Sequence, residues 1–349
     1  MTILWCAEFL GDLKFPYPSS SGTIAYNIVS RLLDRKINIA VADPHSGRHR
    51  SFITRSGKAV GRLYATYQNR DISDLVSRLK PGKVVTDELQ IATALLTLPD
   101  CPEIVLIARD CELPKMEAIG FTVVAVSMAM QDALNDRGIQ STYIPLGVDC
   151  ELFNKIQRQK KGFIFGCACR NKDEKNLYRL MEAYCQFNEN FKDAAALAIH
   201  TDDGVWDVRG IAKQLGIQNN VFFGNFPADQ EAMNRVYNTF DVNINVGGKE
   251  WSALPVLESM ACGIPQIVSD YGVLWEYAQG CGILVPVKTG RVPPRGLIHV
   301  AEPDDICRAM EKLWMNEAER LKAGEAALKR VKAYSWEKTV QMWEELLLR

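Results

Sequence analysis

Short apolar runs alternate with helix-like stretches along nearly the whole chain, and they do so in two series. The first series predicts strands at Thr2–Cys6, Ile37–Ala42, Lys83–Thr86, Glu103–Ala108, Thr122–Val126 and Thr142–Ile144. Amphipathic stretches such as Thr23–Asp34 and Met128–Arg137 lie between them. Residues 51–64 alternate differently, as a small hairpin would. Glu151–Lys161, rich in Lys, Arg and Gln, breaks the pattern and reads as a linker. The second series predicts strands at Gly162–Cys167, Ala195–His200, Asn220–Phe223, Asp241–Val246, Gln266–Ser269 and Gly282–Val285, with helices that include Glu174–Phe187, Ala228–Thr239 and Pro255–Cys262. Segments 303–333 and 335–348 read as helical, with Ser335 placed to cap the last one. A strand–helix–strand rhythm calls for an open parallel sheet with helices on both faces. The expected fold class is therefore α/β, with two doubly wound domains in tandem. Ligands of such sheets bind beyond the carboxyl ends of the strands. Two such domains facing a cleft would hold two substrates and exclude water on closure.

A length of 349 residues suits two domains at ~100–200 residues each. Lys and Arg number 41 and Asp and Glu 42, for a formal charge of −1, which argues against a globally basic nucleic-acid coat. Ten cysteines are scattered without a CxxC pair, a usage that fits a reducing compartment. No apolar stretch reaches the ~18 residues of a membrane span. Thr2–Cys6 is short and soon followed by Glu8 and Asp12, so it reads as a first strand and not as a signal peptide. The expected location is cytoplasmic, or peripheral to a membrane. Between Pro44 and Arg70 there is no Asp or Glu, but there are Arg48, Arg50, Arg55, Lys58, Arg62 and Arg70. Such a run would suit an anionic partner, whether a lipid headgroup, a lipid-linked phosphate or nucleic acid. A solvated loop and hairpin would carry the same charges.

The most informative segment is Gly247–Gly263, GGKEWSALPVLESMACG, which follows the predicted strand Asp241–Val246. Glu250 and Glu258 are separated by seven residues. Pro255 suits a first helical turn, which places Glu258 one turn into a helix and Glu250 in the loop before it. A helix N-terminus suits a phosphate, and a carboxylate just inside it can accept hydrogen bonds from a sugar diol. On spacing alone, two solvated glutamates answer the pattern equally well.

The surrounding motifs add weight. Glu250–Pro265, E-W-S-A-L-P-V-L-E-S-M-A-C-G-I-P, resembles the E-G-F-G-L-P-x-x-E-A-M-A-x-G-x-P signature of glycosyltransferase family 4, retaining enzymes of GT-B architecture. Tyr143–Phe153, YIPLGVDCELF, resembles that family's crossover into its second domain. Gly166–Tyr184 resembles its "G-R…K-N…L…A-F" segment, with Arg170 and Lys175 five apart. Val221–Gly224, Asp270–Glu276 and Tyr334–Trp336 resemble its later strand end, "D-x-G…E" and "F-S-W" segments. The likeness is dense over 143–286 and looser over 1–142.

The resemblance implies two Rossmann-like domains of GT-B type. Residues 1–155 would bind an acceptor, 156–333 a nucleotide-diphosphate sugar, and a helix over 334–349 would cross back to the first domain. It implies a retaining hexosyltransferase that works without a metal or other cofactor, by front-face attack, on a UDP- or GDP-sugar. Arg170 and Lys175 match the basic pair that holds the donor diphosphate, where fixed cations stabilise leaving-group charge. Without the match they would read as a solvated basic turn. Glu250 matches the glutamate that contacts the donor sugar, and Glu258 the one that grips the ribose. Ala253, Leu254 and Pro255 would meet the phosphates or the sugar, and Gly224 and Phe226 would border the base. Gly22, after Ser21, stands where the family has a glycine-rich loop by the phosphates; an ordinary helix start would look the same.

Two departures stand out. Trp251-Ser252-Ala253 replaces Gly-Phe-Gly, which limits backbone approach. Val105–Asp110 ends in Ala108-Arg109-Asp110, without the His that many members carry. No GxGxxG, P-loop or D-x-D occurs, and His45 and His49 form no HExxH. His200 at a strand end could be a packed histidine or face the ligand, and Cys167 and Cys169 read as packing. Other readings of the same features are a sugar-nucleotide 2-epimerase, a non-catalytic nucleotide-sugar-binding protein, and a transferase acting on nucleic-acid bases.

Overall fold

The computed structural model describes residues 1–7, 20–43, 50–53, 59–65, 69–109, 113, 120–157, 162–225, 229–292 and 296–349. The chain divides into two compact units, Met1–Gly147 with Trp336–Arg349, and Val148–Ser335.

In the first unit the elements are β1 (Ile3–Cys6), α1 (Ser20–Asp34), β2 (Ile39–Asp43), β3 (Arg50–Ile53), β4 (Ala59–Ala65), α2 (Asn69–Leu79), β5 (Lys83–Thr86), α3 (Leu89–Leu95), β6 (Glu103–Ile107), β7 (Phe121–Ala125), α4 (Met128–Asn135) and β8 (Thr142–Tyr143). The strands form an eight-stranded sheet in the order β3-β4-β2-β1-β5-β6-β7-β8. Its pairs are parallel, save that β3 runs antiparallel to β4. All four residues of β1, Ile-Leu-Trp-Cys, are buried, as are Val84, Val85 and Ile104–Leu106. Such unbroken apolar strands belong to a parallel sheet covered on both faces. Ser127 caps α4 by accepting the Met130 N–H at 3.1 Å.

In the second unit the elements are β9 (Ile164–Ala168), α5 (Leu177–Asn190), β10 (Ala196–His200), α6 (Val208–Gln214), β11 (Val221–Gly224), α7 (Gln230–Tyr237), β12 (Val242–Asn245), α8 (Leu254–Ala261), β13 (Gln266–Ser269), α9 (Gly272–Ala278), β14 (Gly282–Val285), β15 (Val287–Val292), β16 (Gly296–Ala301), α10 (Pro303–Met315) and α11 (Glu317–Val331). Six strands make a parallel sheet in the order β11-β10-β9-β12-β13-β14. Alternate residues feed two cores. Phe165, Ile244 and Ile267 pack on one face with Leu180, Phe187 and Met310 from α5 and α10. Ala168, Ala198 and Val268 pack on the other with Tyr237, Val256, Met260 and Leu274.

A last helix, α12 (Trp336–Leu348), returns to the first unit. Its buried residues Trp336, Val340, Trp343 and Leu347 follow the spacing of one helical face. Trp343 lies 5.1 Å from the Trp5 ring. Arg35 pairs with Glu344 at 2.7 Å, and the Lys83 ammonium donates to the Leu346 carbonyl at 3.2 Å. Among the described residues, no helix is long and apolar enough to cross a membrane.

Four local features differ from expectation. Segment 303–333 breaks at Asn316, whose side chain caps α11 by accepting the Glu319 N–H at 3.0 Å. The expected helix over Glu174–Phe187 starts late, because Asp173–Lys175 forms a 3-10 turn that ends at Asn176 in the left-handed region. The expected linker is stitched down: the backbone N–H groups of Asn154 and Ile156 donate to the side chains of Asn234 and Asn238. Finally, β15 and β16 form an antiparallel hairpin that no sequence pattern announced.

Candidate active site

The order of the second sheet locates the site. From β9 the chain winds outward through β10 and β11, then returns to place β12 on the other side of β9 and winds outward again through β13 and β14. The strand order thus reverses between β9 and β12, the position where open α/β sheets bind ligands beyond the carboxyl ends of their strands. Arg170 and Lys175 follow β9, and Glu250 follows β12.

Backbone interactions tie these two loops together. Asn176 adopts φ 55°, ψ 31°, a conformation that asparagine tolerates better than most side chains. Its Nδ2 donates to the Val246 carbonyl at 2.8 Å. The Gly248 N–H donates to the Glu174 carbonyl at 2.7 Å, and the His299 N–H on β16 donates to the Gly248 carbonyl at 2.9 Å. A Cβ at residue 248 would strike the His299 carbonyl, so this close approach requires glycine. The His299 ring stacks on Tyr271 at 3.7 Å and shares a 3.1 Å hydrogen bond with Thr289; burial lowers its pKa.

Within this frame Lys175 Nζ meets Glu250 Oε1 at 2.5 Å. Glu250 is only 3% exposed. Burial pulls the Lys175 pKa down, but the adjacent Glu250 charge and hydrogen bond, with Cys169 and Glu174, outweigh it and leave the ammonium above its ordinary value. Beneath the pair, Cys167 and Cys169 are buried free thiols 3.7 Å apart. The contact with Cys167, then burial, raises the Cys169 thiol well above its usual range.

Arg170 differs in character. Its side chain is 45% exposed, and its Nε lies 3.7 Å from Asp202, a loose pair of little energetic weight. The residue after it is tightly fixed. Asn171 donates through Nδ2 to the Trp206 carbonyl at 2.8 Å and accepts the Trp206 N–H at 3.0 Å, while its own N–H donates to Asp202 at 2.7 Å. The arginine thus sits on a backbone pinned to the loop after β10, with a side chain that is half exposed and loosely paired.

α8 supplies the remaining groups. It starts after Ala253 with no side-chain cap, has Pro255 in its first turn and carries no acid there. No side chain of its own therefore offsets its positive end. Ala253 and Leu254 are buried. One turn in, Glu258 Oε2 accepts a 2.7 Å hydrogen bond from the Tyr237 hydroxyl. Burial pushes the Glu258 pKa up to about 7, and the Tyr237 bond opposes that rise. The Trp251 indole N–H is buried without a hydrogen-bond partner among the described residues.

Gly224 ends β11 opposite His200, and a Cβ there would come within 2.5 Å of the His200 ring. Burial lowers the His200 pKa, and the Asn225 backbone partly opposes this. Phe226 lies outside the described residues, as do His45, Arg48, His49, Arg55, Lys58 and Asp110. Gly22 is in the first turn of α1, in the other unit. Arg50, Arg62 and Arg70 fall on β3, β4 and α2. Arg109 is exposed, 3.8 Å from Asp87. Among the described residues, no group of three or more His, Cys, Asp or Glu could hold a metal ion. The site also uses Asn171, Asn176, Tyr237, Gly248 and His299, which sequence reasoning did not single out. Asn176 left a trace as the asparagine of the "K-N" motif and Gly248 as part of the Gly247–Gly263 segment, but neither was given a role.

The two units, each a mainly parallel sheet flanked by helices, define a two-domain α/β fold of GT-B type. The model of the family "Glycosyl transferases group 1" matches residues 149–330, just over half of the chain. The chain belongs to that family. This corrects the expectation of glycosyltransferase family 4: the family shown is glycosyl transferases group 1, and the motif likeness pointed to the wrong family. No curated protein matches the chain. Among solved structures, sucrose-phosphate synthase from Thermosynechococcus elongatus is similar with a TM-score of 0.79 at 15% identity, covering 99% of this chain and 98% of its own. Anabaena HepE, solved in complex with UDP-glucose, gives 0.74 at 15%, covering 99% of each chain. A glycosyltransferase from Rickettsia africae gives 0.75 at 13%, covering 99% of this chain and 97% of its own. At these identities the likeness carries the fold. The family carries the activity: the protein is a glycosyltransferase, an enzyme that transfers a sugar.

Proposed function

We propose that the second unit binds a UDP- or GDP-sugar at the β9–β12 reversal, and that the first unit binds the acceptor. The observation that carries this reading is the convergence of Lys175 and Glu250 at a strand-order reversal, on a loop that leads into the uncapped start of α8. Arg170 and Lys175 would neutralise the diphosphate, Arg170 by swinging from its loose partner and Lys175 from a fixed position. Glu250 would contact the sugar, and Glu258 would accept hydrogen bonds from the ribose hydroxyls. Gly224 and Phe226 would border the base, with Ala253, Leu254 and Pro255 along the phosphates. That HepE was solved with UDP-glucose supports a donor of this class.

Transfer would retain the anomeric configuration. The acceptor hydroxyl bonds to the anomeric carbon on the face the diphosphate leaves, the bond from that carbon to the phosphate oxygen breaks, and the departing oxygen takes the acceptor proton. Catalysis is then positioning plus charge stabilisation. The basic run between Pro44 and Arg70 supports an anionic acceptor, with the protein at a membrane surface or in the cytoplasm.

The test begins with a thermal-shift screen of UDP, GDP and their common sugars. Arg170→Ala and Glu258→Ala are then assayed with the donor identified. Each is expected to abolish transfer and weaken nucleotide binding; wild-type turnover in excess donor would overturn the corresponding assignment.

A further inference from the structure

Tyr237 is fully buried at the end of α7, 1% exposed, with its ring edge-on to Phe153 and Phe240 at 6.0 Å each. A buried phenol commonly uses its hydroxyl in a structural bond to a backbone carbonyl. Here the hydroxyl instead reaches the carboxylate of Glu258, 2.7 Å away. It occupies Oε2; among the described residues no hydrogen bond reaches Oε1. We propose that Tyr237 is a positioning residue for the donor nucleotide: it locks the Glu258 side chain so that Oε1 faces the ribose diol, and it favours the ionised carboxylate that the diol requires. This rests on Glu258 being the ribose-binding group.

Three features support the assignment. The ring is wedged between two aromatic neighbours, so the hydroxyl cannot follow a wandering carboxylate; the carboxylate must come to it. Tyr237 remains a donor, because burial and then the Glu258 charge hold its phenol well above its ordinary range. A carboxylate with one oxygen fixed by a rigid donor loses little rotamer freedom when a diol binds the other, which favours affinity through preorganisation. Among the described residues, the titratable groups that sense Glu258 are Tyr237 from α7 and Cys262 on the next turn of α8, while Cys167 faces Tyr237 from β9. Burial and the Glu258 charge raise the Cys262 thiol too. Both neighbours therefore stay protonated across the range in which Glu258 titrates.

Tyr237→Phe keeps the ring and removes only the donor. Nucleotide affinity is measured by calorimetry from pH 5.5 to 9, using UDP or GDP, whichever binds, and its 2′,3′-dideoxy analogue. Wild-type affinity for the ribonucleotide is expected to rise through neutral pH as Glu258 ionises. In the Phe variant the rise should move up by about one pH unit, with several-fold weaker binding at pH 7 and little change for the dideoxy analogue. Should the Phe variant fold poorly, 3-fluorotyrosine at 237, a stronger donor, is expected to move the rise to lower pH. An unshifted profile in a folded variant overturns the positioning role. If Glu258→Ala binds the ribonucleotide as tightly as wild type, the ribose assignment itself falls, whatever Tyr237 does.

Discussion

Lys175 and Arg170 lie five residues apart and carry the same charge, yet they face opposite energetics. Glu250 is buried, so removing its lysine strands a charge away from water, a loss that typically costs about 3–5 kcal/mol. Lys175→Ala is expected to lower stability by about 3 kcal/mol in urea titrations, and the double variant Lys175→Met with Glu250→Gln to recover most of it. Arg170→Ala should change stability by no more than about 0.5 kcal/mol while abolishing transfer. Glu258 adds a pH dependence of definite sign. Its folded pKa of about 7 exceeds the ordinary value of 4.5, so its burial is tolerated without penalty in acid and opposes folding as pH rises from about 4.5 to 7. Glu258→Gln should therefore be the more stable protein at pH 8, by about 3 kcal/mol, and match wild type at pH 4; thermal melts at the two pH values check this. At this scale the sequence displayed the charged groups, because their spacing along the chain is meaningful. Their partners stayed hidden: Tyr237 is 21 residues from Glu258 and His299 is 51 residues from Gly248, and no local pattern links them.

Elements were more legible than contacts. Lys83–Thr86, Gln266–Ser269 and Gly282–Val285 match the observed strands residue for residue, because continuous apolar runs bounded by polar residues leave few alternatives. The failures have physical causes. The β15–β16 hairpin has polar and charged residues such as Lys288, Thr289 and Arg291 mixed among its apolar ones, and it joins neither large sheet. Asn176 ends one helical turn and begins another, a break that an amphipathic period does not record. The missed hairpin matters for the site, because it holds the Gly248 carbonyl two residues before Glu250. Gly248→Ala should force the loop off the His299 carbonyl at a cost of about 1–3 kcal/mol, and kcat should fall more than donor affinity does. Steady-state kinetics alongside a urea melt would separate the two effects.

For the whole molecule, the two units share one chain but have separate cores. Trp343→Ala removes a fully buried indole from against Trp5 in the first unit, at an expected cost of about 3–5 kcal/mol. If the donor site belongs to the second unit alone, nucleotide affinity measured on the folded variant should stay within about twofold of wild type. Scanning calorimetry should show the first unit's transition moving down, while the nucleotide-stabilised transition stays in place.

The second unit begins and ends at neighbouring points. The Val148 N–H donates to the Tyr334 carbonyl at 2.8 Å, Val148 bridges Ser335, and on the other side of the crossing a Cβ on Gly147 would run into the Trp336 backbone. Entry and exit are thus side by side, so the second unit is inserted into the chain of the first like a cassette. A short loop from 147 to 336 would close the host without it, and the same junction marks where the second unit could be lifted out whole or exchanged for another.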